Sequence, residues 1–192
     1  MKFLSYLAFT CFVTTSVLAS DVKIGGITFK DKAEIQSEKL TRLGAGVRKK
    51  FFLKIYALGA YTKSGSCELS NIIESDESKY MKLVIMLPEV PGKMISDALK
   101  ESIEKNLPEN PSPELLSSIK NFLGIFNFPL KKGAVVEFNY LKDIGFFVTV
   151  NGEKKGEVSK SYDLARLVWN NYFSEDSCCS ELRKNILEMC PK

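Results

Sequence analysis

Apolar positions along the chain pass from alternation to helical spacing, back to alternation, and again to helical spacing. The strongest alternating run is at residues 51–61. There Phe51, Leu53, Ile55 and Ala57 interleave with Phe52, Lys54, Tyr56 and Leu58, as a pleated strand requires. Both faces of this run are largely apolar, which predicts a central strand covered on both sides. Ahead of it, residues 22–29 read as a strand or hairpin around Gly25-Gly26. Residues 30–43 are polar with spaced apolar positions and lead to Gly44-Ala45-Gly46-Val47-Arg48, expected as a glycine turn. Residues 62–79 are rich in Ser, Asp and Glu and predict a surface connection with a short helix at 69–74.

Residues 80–87 predict another strand, ended by Pro88 and Pro91-Gly92. Helical spacing follows. Met94, Ile95, Ala98, Leu99, Ile103 and Leu107 form one stripe, and Leu115, Leu116, Ile119 and Phe122 a second. The second helix has its own punctuation: Ser112-Pro113 as cap and first helical residue, and Gly124 as stop. Alternation returns at 134–141, 146–150 and 153–158, with Asn151-Gly152 as the hairpin turn. Two last helices are expected at 162–173, with Leu164, Leu167 and Val168 inward, and at 178–189, with Leu182, Ile186 and Leu187 inward. Strands, helices, strands, helices in that order predict an α+β fold, a large antiparallel sheet covered on one face by a helical layer.

Composition changes the picture chiefly at the N-terminus. Lys2, the apolar run 3–13 and Val17-Leu18-Ala19 form a secretory signal-peptide pattern. The expected organisation is a leader at 1–19 and a single domain at 20–192. The expected location is the secretory pathway, outside the cell or in a periplasm, with no stable membrane span after leader removal. The 192 residues are enough for one sizeable core. The net charge of +4, one less without Lys2, is too small and scattered to indicate nucleic acid.

Cys67, Cys178, Cys179 and Cys190 lie beyond the leader and predict one or two disulfides in an oxidising compartment. Strain disfavours a bond between neighbouring cysteines. The expectation is therefore a link from Cys67 or Cys190 to the Cys178–Cys179 region, with a free buried thiol as the other reading of Cys190. The cysteine spacing fits no zinc motif, and no metal or other cofactor is expected. The chain has no histidine, which excludes Ser-His-Asp and Cys-His catalysis. The glycine segment lacks the third glycine of a dinucleotide loop.

Arg48 and Tyr56 are the polar residues on which a ligand argument can rest. An arginine fork matches a carboxylate bidentately, and a tyrosine hydroxyl can add a hydrogen bond to the same anion. Phe52 and Leu58, with Phe51, Leu53 and Ile55, are candidates to line a channel for an alkyl chain. From the residues alone, a second reading stands beside this one: Arg48 as a strand-end ion pair and Tyr56 as an ordinary sheet tyrosine. Lys49, Lys50 and Lys54 read as a solvated edge, with a membrane-docking role as the lesser reading.

Gly44-Ala45-Gly46-Val47-Arg48, followed by Phe51, Lys54-Ile55-Tyr56-Ala57, Gly59 and Tyr61, resembles the signature of the chalcone isomerase-like family. That family includes plant chalcone isomerases, plastid fatty-acid-binding proteins and microbial members. The likeness runs from about residue 22 to 187 and includes Phe128-Pro129-Leu130, Gly133 and Val150-Asn151-Gly152. The resemblance implies an antiparallel sheet beneath helices with a ligand cleft between them. It also implies that Arg48 and Tyr56, matching an Arg and a Tyr of the fatty-acid-binding members, hold a ligand carboxylate. The plant isomerase pattern asks for a Thr on the strand after the Arg, a Tyr and an Asn on the first long helix, and a Thr or Ser paired with Met late in the chain. Here those places hold Tyr56, Met94 and Glu101, and no such pair is present within 167–172. No catalytic residue is therefore assigned. The expected function is non-catalytic binding of a fatty acid or other small apolar carboxylate. The alternatives are a chalcone isomerase-type intramolecular lyase and a scaffold with no ligand.

Overall fold

The structure is a computed structural model that describes residues 20–158, 161–177 and 179–190. Sixteen elements follow one another among them: β1 (Val22–Ile24), β2 (Ile27–Phe29), β3 (Lys32–Ile35), β4 (Glu38–Lys50), β5 (Leu53–Thr62), α1 (Leu69–Glu74), β6 (Lys79–Ile85), β7 (Glu89–Val90), α2 (Gly92–Lys105), α3 (Pro113–Gly124), β8 (Leu130–Lys131), β9 (Val135–Leu141), β10 (Gly145–Val150), β11 (Glu153–Val158), α4 (Tyr162–Phe173) and α5 (Ser180–Glu188). Seven strands form one antiparallel sheet in the order β11-β10-β9-β6-β5-β4-β3. β1 with β2 and β7 with β8 make two small ribbons.

Helices cover one face of the sheet. Leu58, Met81, Leu83, Phe138, Phe146 and Val148 point from successive strands into a core shared with Phe122 of α3, Val168 and Trp169 of α4, and Leu182 and Ile186 of α5. Phe122 meets Phe126, Phe138 and Phe146 edge to face, at centroid distances of 5.5–5.8 Å, an arrangement aromatic quadrupoles favour. On the opposite face the β1–β2 ribbon covers β4 and β5, with Phe29 packed in a small cluster with Ala45 and Ala57. β5 is thus covered on both sides, as its doubly apolar alternation required.

The Ser112-Pro113 and Asn151-Gly152 punctuation acts as the sequence indicated, and Ser161 adds a further cap. Ser112 Oγ accepts from Leu115 N at 3.1 Å, with Pro113 opening α3. Asn151 and Gly152 take positive φ, 53° and 81°, between β10 and β11. Ser161 caps α4 by accepting from Leu164 N at 3.1 Å.

The Gly-x-Gly segment departs from expectation. It is the interior of β4, not a turn, and neither Gly44 nor Gly46 has positive φ. The glycines are there because α5 lies directly on the strand. A Cβ at Gly44 would fall 2.1 Å from Ile186 O, and one at Gly46 would fall 2.8 Å from a Leu182 methyl. The obstacle at Gly44 is backbone, so it cannot step aside by changing rotamer. Gly44→Ala is expected to lift α5 from the sheet and cost about 1–3 kcal/mol, as overpacking does. Urea unfolding of the variant checks this; an unchanged midpoint would mean that α5 is not seated on the glycine track.

The disulfide connectivity also departs from expectation. Cys67 and Cys190 bond to each other, not to the Cys178–Cys179 region. Each lies beside a helix end, Cys67 before α1 and Cys190 after α5, and the topology brings those ends together. Cys179 is itself disulfide-bonded. The expected leader at 1–19 and Cys178 lie outside the described residues.

Candidate functional site

β4 reverses at Phe51–Phe52, where Lys50 pairs with Leu53 in a two-residue turn. That reversal, with a register shift between Arg48 and Lys49, places Arg48 directly across from Tyr56. Tyr56 and Leu58 share the helix-covered face of β5. The two polar residues that sequence alternation could not bring together are therefore cross-strand neighbours beneath the helical layer.

The charge on Arg48 is sparsely used. Among the described residues its guanidinium makes one hydrogen bond, Nη1 to Lys49 O at 2.9 Å, and no ion pair. Arg42, six residues earlier, is a contrast. Its two terminal nitrogens donate to Phe29 O and Ser20 O, both at 2.8 Å, and fasten the β1–β2 ribbon to β4.

Tyr56 also meets Tyr172, in the last turn of α4, a residue not among the expected site residues. Burial pushes the Tyr56 phenol up to about 12, against the opposing influence of Arg48 and of a hydrogen bond with Tyr172. Burial, and then proximity and hydrogen bonding to Tyr56, hold Tyr172 well above the ordinary tyrosine value. The Tyr56 oxygen also lies 3.8 Å from Cys179 Sγ. A disulfide sulfur has no S–H, so in that contact only the phenol can donate, and sulfur is a weak acceptor. The site thus presents a sparsely bonded arginine beside a phenol in contact with a weakly accepting sulfur, and an anion would be a better partner for both.

Cys179 is also the N-cap of α5 and supplies no side-chain cap to it, so the positive end of a helix lies beside Tyr56. Lys49 pairs with Glu181 of the first turn of α5 at 2.9 Å. Trp169, three residues before Tyr172 on α4, is fully buried, and its indole N–H meets no acceptor among the described residues.

The remaining expected residues separate. Leu58 is wholly buried in the main core, and Phe52 stands at the hairpin tip, 89% exposed. The tip reverses the chain before the covered face begins, so the rings of Phe51 and Phe52 project beyond the sheet. Met94 and Glu101 on α2 are exposed, and Glu101 bonds Lys105 at 2.7 Å. Tyr172 was legible in principle, because it continues the inward stripe one turn beyond Val168 on a helix already assigned. An open cavity of about 670 Å³ lies elsewhere, between α3 and β11, lined by Lys120, Gly124, Phe128 and Lys155 among others. β10, β9 and β6 separate β11 from the strand of Tyr56. The described residues contain no carboxylate, thiol or imidazole cluster able to hold a metal, and no helix long and apolar enough to cross a membrane.

A seven-stranded antiparallel sheet with helices on one face, and an Arg–Tyr pair between the layers, defines an open-faced α+β sandwich. The chain belongs to the chalcone isomerase-like family, whose model matches residues 21–188. Its fold is similar to the crystal structure of a fatty-acid-binding protein of Arabidopsis thaliana. The TM-score is 0.69 at 18% identity, covering 88% of this chain and 96% of that one. No curated protein matches the sequence.

Proposed function

We infer that this protein binds a fatty acid or similar apolar carboxylate without transforming it. The observation that carries the reading is the arrangement at the pair: Arg48 with one hydrogen bond and no ion pair among the described residues, opposite Tyr56, whose hydroxyl lies 3.8 Å from the Cys179 sulfur, a weak acceptor. A carboxylate placed between them gains a charge-assisted fork and a phenolic hydrogen bond. The Arabidopsis neighbour, a fatty-acid-binding protein, supports the choice of ligand class. The alkyl tail would lie between sheet and helices, contributing about 0.8 kcal/mol per buried methylene.

The same proposal takes the chain through the secretory route, with the leader removed near Ala19. One native mass spectrum of protein recovered from its source tests both parts. The expected species begins near Ser20 and carries one carboxylic acid. Trp169 is the sole tryptophan and sits three residues from Tyr172, so titration with oleate should change its emission saturably at one equivalent. An apo mass together with a flat titration would overturn the binding reading, and an intact Met1 would overturn the leader. Stereospecific cyclisation of a chalcone at an enzymatic rate would replace binding by isomerisation.

A further inference from the structure

The hairpin tip between β4 and β5 has a composition that folding does not explain. Two residues form the turn, and the first, Phe51, has φ 56°. Glycine or asparagine is the ordinary occupant of such a position, and a bulky ring there is strained. Phe51 and Phe52 are 88% and 89% exposed, and Leu53 beside them is also exposed. Neither ring packs against the protein, so neither contributes to the core. A tip this apolar carries a solubility cost unless something covers it.

The surroundings indicate what covers it. Lys49, Lys50 and Lys54 flank the rings and are exposed, and Arg48 lies just behind. The chain has no acidic residue between Glu38 and Glu68. From other elements, Glu181 pairs with Lys49 at 2.9 Å. Glu101 is near enough to Lys50 to feel its charge, but its carboxylate is bonded to Lys105. The tip is therefore an apolar point inside a net-positive collar. A second copy of the chain fits poorly, because a symmetric tip-to-tip contact would set the two lysine collars against each other. A bilayer with anionic headgroups fits both features. Aromatic rings settle at the headgroup boundary, lysine stems reach up to the phosphates, and each cation near an anionic surface adds attraction.

We propose that the β4–β5 hairpin is a membrane-docking wedge that inserts Phe51 and Phe52 into the surface of an anionic bilayer, with Lys50 and Lys54 on the headgroups. Arg48 is three residues from Phe51, so docking brings the Arg48–Tyr56 pair to the layer where fatty acids partition. That consequence rests on the proposed function; the docking itself does not.

The test is co-sedimentation of the chain, as the cell processes it, with vesicles of phosphatidylcholine alone or of phosphatidylcholine and phosphatidylglycerol at two to one. The wild type should partition at least tenfold more strongly onto the anionic vesicles and release in high salt. Phe51→Ser with Phe52→Ser should lose at least tenfold, and Lys50→Glu with Lys54→Glu should abolish the preference for anionic lipid. Both double variants share the wild-type N-terminus, so a retained leader cannot imitate the difference. Phe52→Trp reads the tip directly: brominated lipid should quench its added emission, while buried Trp169 stays unaffected.

Equal sedimentation of the wild type and the serine variant overturns the proposal, as does wild type that ignores anionic vesicles. So does a lipid-free dimer that the serine substitutions convert to monomer, which would make the tip a self-contact. Oleate titration without vesicles keeps the two hypotheses apart. A chain that docks but takes no oleate sinks only the binding reading, and one that takes oleate but ignores vesicles sinks only this one.

Discussion

Arg48→Ala is expected to weaken fatty-acid affinity by about 2–4 kcal/mol, roughly 30- to 1,000-fold, while leaving the chain folded. Much of that loss is the penalty of leaving a carboxylate without a partner, not the net worth of the pair. The fold should survive because, among the described residues, Arg48 supports nothing except its neighbour's carbonyl. Arg48→Lys should recover part of the affinity, since a point charge attracts the carboxylate but cannot form the bidentate fork. Tyr56→Phe removes one hydrogen bond and keeps the ring, so about 0.5–1.5 kcal/mol is expected. Tyr56 and Tyr172 both titrate far above neutrality. Neither phenol loses its proton between about pH 6 and 9, and affinity should show no step from them in that window. Oleate titrations of the wild type and three variants, each with a thermal melt as control, decide the matter. If all four bind alike, or if Arg48→Ala simply unfolds, the arginine is structural.

What the sequence revealed and what it hid follow physical lines. β5 and the helices α2, α3 and α4 were legible because period and turn signals are local properties, read from the apolar stripes and within a few residues of Ser112 or Asn151. The glycines of β4 were misread because glycine has two physical uses, unusual φ and close approach. A single sequence shows neither φ nor the Ile186 carbonyl that lies over Gly44. The true turn escaped notice because Phe51-Phe52 carries none of the residues that mark a hairpin. Placing the reversal there, and not before residue 51, is what sets Arg48 opposite Tyr56. Tyr172 lies in a helix far along the chain, and no local pattern joins it to a tyrosine on β5. Cysteine pairing is likewise decided by which helix ends the topology brings together.

That pairing gives the largest stability effect expected in the molecule. The Cys67–Cys190 bond spans 123 residues, closing most of the domain into one loop. In the chain-entropy account a closed loop of about 100 residues is worth about 4.7 kcal/mol, and native disulfides typically contribute about 2–5 kcal/mol. Cys67→Ser with Cys190→Ser should therefore cost about 3–5 kcal/mol. For a domain of this size each kcal/mol shifts the melting temperature by about 2–4 °C, so a fall of roughly 6–20 °C is expected. The double substitution is a cleaner measurement than reductant, because Cys179 is also disulfide-bonded and would open with the first pair. The loss should reach the site as well. Cys190 anchors the end of α5, α5 rests on Gly44 and Gly46, and its N-cap Cys179 lies 3.8 Å from Tyr56. Releasing that anchor frees the helix to shift over the Arg48–Tyr56 pair, and oleate affinity should fall even well below the new melting temperature. Unchanged melting in the double variant would show that packing alone holds α5. Lower melting with unchanged affinity would show that the bond stabilises the domain without shaping the site.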